Sequence, residues 1–279
     1  MARFFILILC VCLISPATAR TLYRSGQTSA MAASCPTGSE EAEAIHQLAR
    51  QYLKAQKGKP HDKFQAERLF EEALAMGNAK SALQLGDLYF NNPWYRESIR
   101  YRYMMAMYNQ AAEMGCPDAY LILAKHHEEG WGARKDKKKA MELLELSAEK
   151  GSPKGMEFWG AYLIDEKKEV EPGRQWLERA LAAGNGDAGV ELASYYRRQK
   201  NAEGLIQSLR SGAQQGSKAC LYELRSIYSR GESGQDKNEK HAACYDKLYD
   251  AIDDFDIPRP IANFDKICPL LPVKPYKWY

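Results

Sequence analysis

The chain has 279 residues, with 39 basic and 36 acidic side chains and a net charge of +3. That balance gives no electrostatic case for nucleic acid or an anionic membrane as partner. Hydrophobic residues make up 45% of the chain, and its length suits one solenoid or two small domains.

Met1-Ala2-Arg3 is a short basic start, Phe4 to Ile14 is an unbroken apolar run, and Ala17-Thr18-Ala19 supplies small residues for cleavage. This is the pattern of a secretory signal peptide over residues 1–19. The run is too short to span a bilayer, and no later segment is long and apolar enough to do so. The residues before Cys10 are not the small ones of a lipid-modified cysteine, so a soluble exported protein is expected. Residues 20–38 are rich in Ser, Thr, Gly and Ala and read as a flexible leader.

From Ser39-Glu40-Glu41 onward the period is helical. Ala42, Ile45, Leu48, Ala49, Tyr52 and Leu53 recur at spacings of three and four. Residues 58–62 break the helix, and a second one is expected from Lys63 to Met76, containing Phe64, Leu69, Phe70 and Ala73. A repeat then becomes countable from the glycines that close helices: Gly77, Gly115, Gly151, Gly184 and Gly216, spaced 38, 36, 33 and 32 residues apart. Four residues before each glycine stands a small side chain (Ala73, Ala111, Ser147, Ala180, Gly212), and four after it another (Ser81, Ala119, Gly155, Ala188, Cys220). Eight after stands a large apolar one (Leu85, Leu123, Trp159, Leu192, Leu224), and twelve after stand Tyr89, His127, Leu163, Tyr196 and Tyr228. A glycine just past a helix end takes the left-handed conformation without steric cost. Small residues beside the turn let two helices approach, and the large ones fill the space between pairs. A single pair cannot bury its apolar face, so pairs stack.

A last helix is expected from Lys240 through Ala251, carrying Ala243, Cys244 and Leu248, before residues 253–256 break it. Residues 253–279 hold five prolines, which forbid a long helix. They also hold Ile257, Ile261, Phe264, Ile267, Leu270, Leu271, Trp278 and Tyr279, more apolar side chains than a disordered tail carries. The segment is expected to lie extended across the last pair as a cap. Past the apolar run five cysteines remain, Cys35, Cys116, Cys220, Cys244 and Cys268. Cys244 and Cys268 flank the segment that folds back and are expected to pair, with Cys220 a buried thiol; the alternative is that all five stay reduced.

The five histidines fall in no metal-ligand spacing, and His127 is expected at the buried tyrosine position with His126 pointing elsewhere. There is no nucleophile elbow and no phosphate loop, so neither catalysis, metal nor cofactor is expected. Trp94, Tyr95 and Trp131 lie in loops that the core does not explain, and aromatic residues exposed beside charges anchor protein interfaces.

The unit from Ala119 to Gly151, with A-x-x-x-L-A-x-x-H followed by E-G-W-G-A-R-K-D-K-K-K-A-M, resembles the Sel-like repeat, a relative of the tetratricopeptide repeat. Gly130, Gly132, Asp136, Lys139 and Ala140 match the family's loop glycines, Asp and Lys-Ala, while Gly86 and Tyr89 match its Leu-Gly and Tyr. The likeness covers residues 64 to 250. It implies an all-α, right-handed α-solenoid of about six antiparallel helix pairs over residues 39–252. It also implies an inner face formed by positions three, six, ten and thirteen after each glycine: Lys80, Asp87, Phe90, Asp118, Lys125, Glu128, Glu157, Arg197 and Tyr222. That mixture of charge and apolar surface suits a folded protein partner.

An exported Sel-like solenoid ending in Phe264-Asp265-Lys266-Ile267-Cys268-Pro269-Leu270-Leu271-Pro272 is similar to the periplasmic immunity proteins of type VI secretion systems, in particular those paired with lipase effectors of the phospholipase class. The resemblance implies a protein that binds such a toxin and occludes its active site. The rival reading is a periplasmic scaffold that organises envelope enzymes.

Overall fold

The computed structural model describes residues 34–54, 61–93, 96–252 and 259–276. The signal-peptide residues, Trp94, Tyr95, Trp278 and Tyr279 lie outside them. Among the described residues the chain is all helical, with thirteen helices. Twelve form six consecutive pairs: α1 (Glu40–Leu53) with α2 (Lys63–Ala75), α3 (Ala79–Phe90) with α4 (Glu97–Glu113), α5 (Pro117–Glu129) with α6 (Lys137–Glu149), α7 (Pro153–Asp165) with α8 (Val170–Ala182), α9 (Ala188–Arg198) with α10 (Ala202–Gln214), and α11 (Lys218–Arg230) with α12 (Glu239–Ala251). The thirteenth, α13 (Phe264–Ile267), is a single turn in the C-terminal segment. Each helix packs most extensively on its pair partner, then on the next helix in the chain, as in an α-solenoid. None of the described helices is long and apolar enough to cross a membrane.

The five repeat glycines end helices in one way. All have φ between +86° and +98°. Each donates its N–H to the carbonyl three residues back, as Gly77 does to Leu74 at 2.9 Å and Gly151 to Ala148 at 3.1 Å. The residue after each glycine donates to the carbonyl five back, as Asn78 does to Ala73 and Cys116 to Ala111, both at 3.0 Å. These two bonds define the Schellman motif, which satisfies carbonyls that a helix end would otherwise orphan. Asn78, Ser152 and Ser217 then also cap the following helix, accepting from the N–H groups of Ser81, Gly155 and Cys220. The second helices of four pairs are capped by Asp62, Asp136, Asn201 and Asn238.

The small residues either side of each turn are all buried, and so are Leu85, Leu123, Trp159, Leu192 and Leu224 eight positions on. The register reaches one unit further back than the count from Gly77. Gly38 has φ +68°, Ser39 caps α1, Ala42 is the buried small residue and His46 fills the place of the large apolar one. Twelve after the glycine, the pattern is looser. His127 is half buried, and it is His126, not its neighbour, that enters the core, 5.3 Å from the Tyr108 ring and 5.7 Å from Phe90. Leu69, Phe70 and Ala73 are buried, whereas Phe64 stands exposed in the first turn of α2.

The C-terminal segment docks through few side chains. Ile261 N–H donates to Gln214 O at 2.7 Å, and Lys274 N–H to Gly234 O at 2.8 Å. Between them Phe264 and Cys268 are buried. Arg210 lies 5.1 Å from the Phe264 ring, donates to Tyr245 Oη at 2.6 Å and pairs with Asp265 at 2.6 Å. Cys244 and Cys268 form a disulfide. Ile267 and Leu270, expected to cover the last pair, remain about half exposed at 47% and 50%, because the single turn of α13 directs Phe264 inward instead.

Candidate partner-binding surface

The first helices of neighbouring pairs touch, α5 with α7, α7 with α9 and α9 with α11, and so share one face. Polar side chains cross it in a ladder. Asn78 donates to Glu43 at 3.0 Å, Ser152 to Asp118 at 2.6 Å, Asn185 to Glu157 at 2.5 Å and Ser217 to Asp187 at 2.7 Å. In each case the residue just after a repeat glycine reaches a carboxylate of the preceding unit. At the one remaining unit that residue is Cys116, which caps nothing with its side chain. It is joined instead to Cys35 by a disulfide across 81 residues. Cys220 is a buried free thiol whose pKa is pushed up to about 12, first by burial.

The ladder decides which charged groups on this face are available. Asp118 and Glu157 are bound within it, and burial pushes the Glu157 carboxyl above its usual range. Lys80 lies 3.8 Å from Glu43, Asp87 accepts from Tyr108 Oη at 2.7 Å, and Arg197 pairs with Glu223 at 3.3 Å. Lys125 and Glu128 are exposed, with the Lys125 ammonium 4.8 Å from the Phe158 ring. Tyr222 is 50% exposed, with the Arg225 guanidinium 4.9 Å over its ring. The candidates thus divide into ties between repeats and a smaller set open to a partner.

Phe90 and Trp131 come together at the loop edge. Their rings are 5.5 Å apart, and Tyr101 stacks on Phe90 at 6.2 Å. Arg100 sits 5.2 Å from the Tyr101 ring. Gly130 and Gly132, both with positive φ, turn the loop so that Trp131 lies against His126 at 5.9 Å while staying 43% exposed. A half-exposed indole braced on the Phe90 and His126 rings loses little side-chain freedom when it is covered, as anchors of protein interfaces require. Among the described residues no group of three or more His, Cys, Asp or Glu is placed to hold a metal ion.

A second feature of this face was not foreseen. His46, Arg50, Lys54, Lys80, Leu83, Gln84, Asp118 and Pro153, with Ser34 and Cys35, line a groove of about 470 Å3. The signal for it was the spacing of His46, Arg50 and Lys54 at every fourth residue, one stripe along a helix. It became legible only once Gly38 set the register of α1.

The Sel1 repeat family matches residues 42–78, 117–152 and 165–185. No curated protein sequence matches the chain. Among solved structures, immunity protein Pa5087 from Pseudomonas aeruginosa superposes with a TM-score of 0.68 at 21% identity, covering 85% of this chain and 91% of its own. Immunity protein PA5088 from the same organism gives 0.67 at 20% identity over the same shares. A Sel1 repeat protein from Oxalobacter formigenes gives 0.60 at 19% identity, covering 75% of this chain and 87% of its own. At these identities the likeness is one of fold.

Proposed function

From a solenoid that carries Sel1 repeats, we propose that this chain is an immunity protein. It binds a toxin effector of the lipase or phospholipase class, delivered by type VI secretion into the periplasm, and blocks it by covering the entrance to its active site. The observation that carries this reading is the fold likeness to solved immunity proteins over 85% of the chain. The apolar run at the N-terminus agrees with export, and two disulfides suit an oxidising compartment. The exposed aromatic edge at Trp131 and the open Lys125 and Tyr222 supply the surface that a folded partner needs.

The test is co-expression with a lipase effector encoded beside it, followed by co-purification and a lipase assay. A stable complex and lost lipase activity at saturating protein are expected. Failure to co-purify, or full lipase activity in the complex, overturns the reading.

A further inference from the structure

A strip of aromatic rings runs along the loop edge. Trp131 packs on Phe90 at 5.5 Å and Phe90 on Tyr101 at 6.2 Å, while Tyr89, next to Phe90 in α3, packs on Tyr103 of α4 at 5.4 Å. Trp131 and Tyr103 stay 43% and 42% exposed. Two arginines lie on this strip. The Arg100 guanidinium is 5.2 Å from the Tyr101 ring and 6.0 Å from Phe90, and that of Arg102 is 5.5 Å from Tyr103. The ring faces attract both cations and hold their planes in place before anything binds. Neither charge is neutralised. Among the described residues neither guanidinium has a carboxylate partner, and Arg100 Nε is buried without a hydrogen bond. The other charges nearby cancel: Arg96 stands beside Glu97 at the start of α4, and Glu128 and Glu129 before the loop are matched by Arg134 and Lys135 within it. Asp87 is occupied by Tyr108 Oη at 2.7 Å. The two stacked arginines therefore set the sign of the edge.

We infer that Arg100 and Arg102 receive Asp or Glu carboxylates from an acidic segment of the protein partner, whose apolar side chains cover Trp131 and Tyr103. The inference rests on the immunity reading for its biological meaning, but its chemistry can be tested without a toxin. The planar fork of an arginine matches a carboxylate through two parallel hydrogen bonds, and a fork already stacked on a ring has little freedom left to lose. Trp, Tyr and Arg are also the residue types that carry most of the energy at protein interfaces. A lipid surface fits less well, because each ring of the strip is packed against another ring and the chain as a whole is nearly balanced in charge.

The experiment uses the purified, isotope-labelled chain and two short peptides with the same leucines, one bearing Asp and Glu, the other Asn and Gln. Titration followed by nitrogen–proton NMR should show the acidic peptide binding about tenfold more tightly, with shifts at the Arg100 and Arg102 Nε–H and Trp131 indole signals. Arg100→Lys with Arg102→Lys keeps the charge and removes the stacked fork; it should cut the preference about tenfold at an unchanged melting temperature. Arg102→Lys alone, on the exposed side of α4, should cut it about threefold and keeps the test open where the double variant loses stability. Trp131→Ala should weaken both peptides about tenfold. Lys247→Gln, on α12, should change neither. Equal binding of the two peptides, or a preference undiminished in both Lys variants, would overturn the inference. So would phosphatidylglycerol vesicles that bind more tightly than the acidic peptide and are released by the same substitutions. Selective peptide binding without toxin inhibition leaves the edge standing and removes the immunity reading; toxin inhibition undiminished by Arg100→Lys with Arg102→Lys and by Trp131→Ala does the reverse.

Discussion

At the scale of single residues, His46 is the most consequential side chain in the first pair. It occupies the position where the later repeats place Leu85, Leu123, Trp159, Leu192 and Leu224. Its imidazole packs 5.3 Å from Phe70 and meets Ser81 at 2.9 Å. Burial lowers its pKa to about 4; Glu43 opposes the shift, while Arg50 and Lys80 add to it. Burial also lowers His126 and His241. A histidine whose pKa is depressed on folding resists protonation in the folded state only, so its share of stability is intact above about pH 6.5 and is lost as the pH falls toward 4. His46 alone should remove on the order of 2 kcal/mol by pH 5. Urea unfolding across that range should show the decline, and His46→Leu should flatten it; a wild-type profile flat from pH 7 to pH 4 would refute the assignment. Glycines illustrate the other side of residue-scale reading. Gly86 is a packing glycine: a Cβ there would sit 2.3 Å from the Tyr108 ring. Gly115 has nothing within 4 Å of that point, and its identity is set by φ +86° alone.

At the scale of elements, the turn between pairs is the unit of design. One glycine and the residue after it close a helix, open the next and reach back to the previous repeat. Ser152 performs all three roles, capping Gly155 at 3.0 Å and donating to Asp118 at 2.6 Å. Ser39 caps α1 at 3.1 Å without such a cross-repeat bond. Ser152→Ala should therefore cost about 1–2 kcal/mol, more than Ser39→Ala, because it removes a cap and also deprives a carboxylate of its donor. Chemical denaturation of the two variants compares them directly, and equal losses would show that the cross-repeat bond contributes nothing. The glycines and small residues of this turn could be read from sequence because their spacing is periodic. The carboxylate partners could not, since Asp118 and Asp187 sit three after their glycine, Glu43 five and Glu157 six. Trp131 was legible as an exposed loop aromatic, whereas the clustering of Phe90, Tyr101 and Trp131 depends on how α4 packs beside the loop.

At the scale of the whole molecule, the solenoid is stapled near both ends. The two disulfides close separations of 81 and 24 residues. In the chain-entropy account they contribute about 4.5 and about 3.5 kcal/mol by restricting the unfolded chain. Stacked repeats contact only their neighbours, so the effect of losing one staple should stay local. Cys35→Ser with Cys116→Ser should speed hydrogen exchange in α1 to α4 while leaving α9 to α12 little changed. Uniform acceleration along the chain would instead indicate one cooperative unit. The pairing of Cys35 with Cys116 lay beyond sequence reading, because Cys35 falls in a stretch that looked like a free leader. The six helix pairs were legible throughout, since each one repeats the same demand for burial.

The Cys35–Cys116 bond also carries information about time. Its two sulfurs, 81 positions apart in sequence, cannot meet until the segment between them, which includes α1 to α4, has been laid down. In a chain delivered N-terminus first, Cys35 emerges early and waits, and its oxidation to the native partner marks the completion of two full helix pairs. The bond is thus a checkpoint as well as a clasp: a chain halted short of Cys116 keeps a thiol at Cys35 that alkylation would reveal, separating arrested molecules from finished ones.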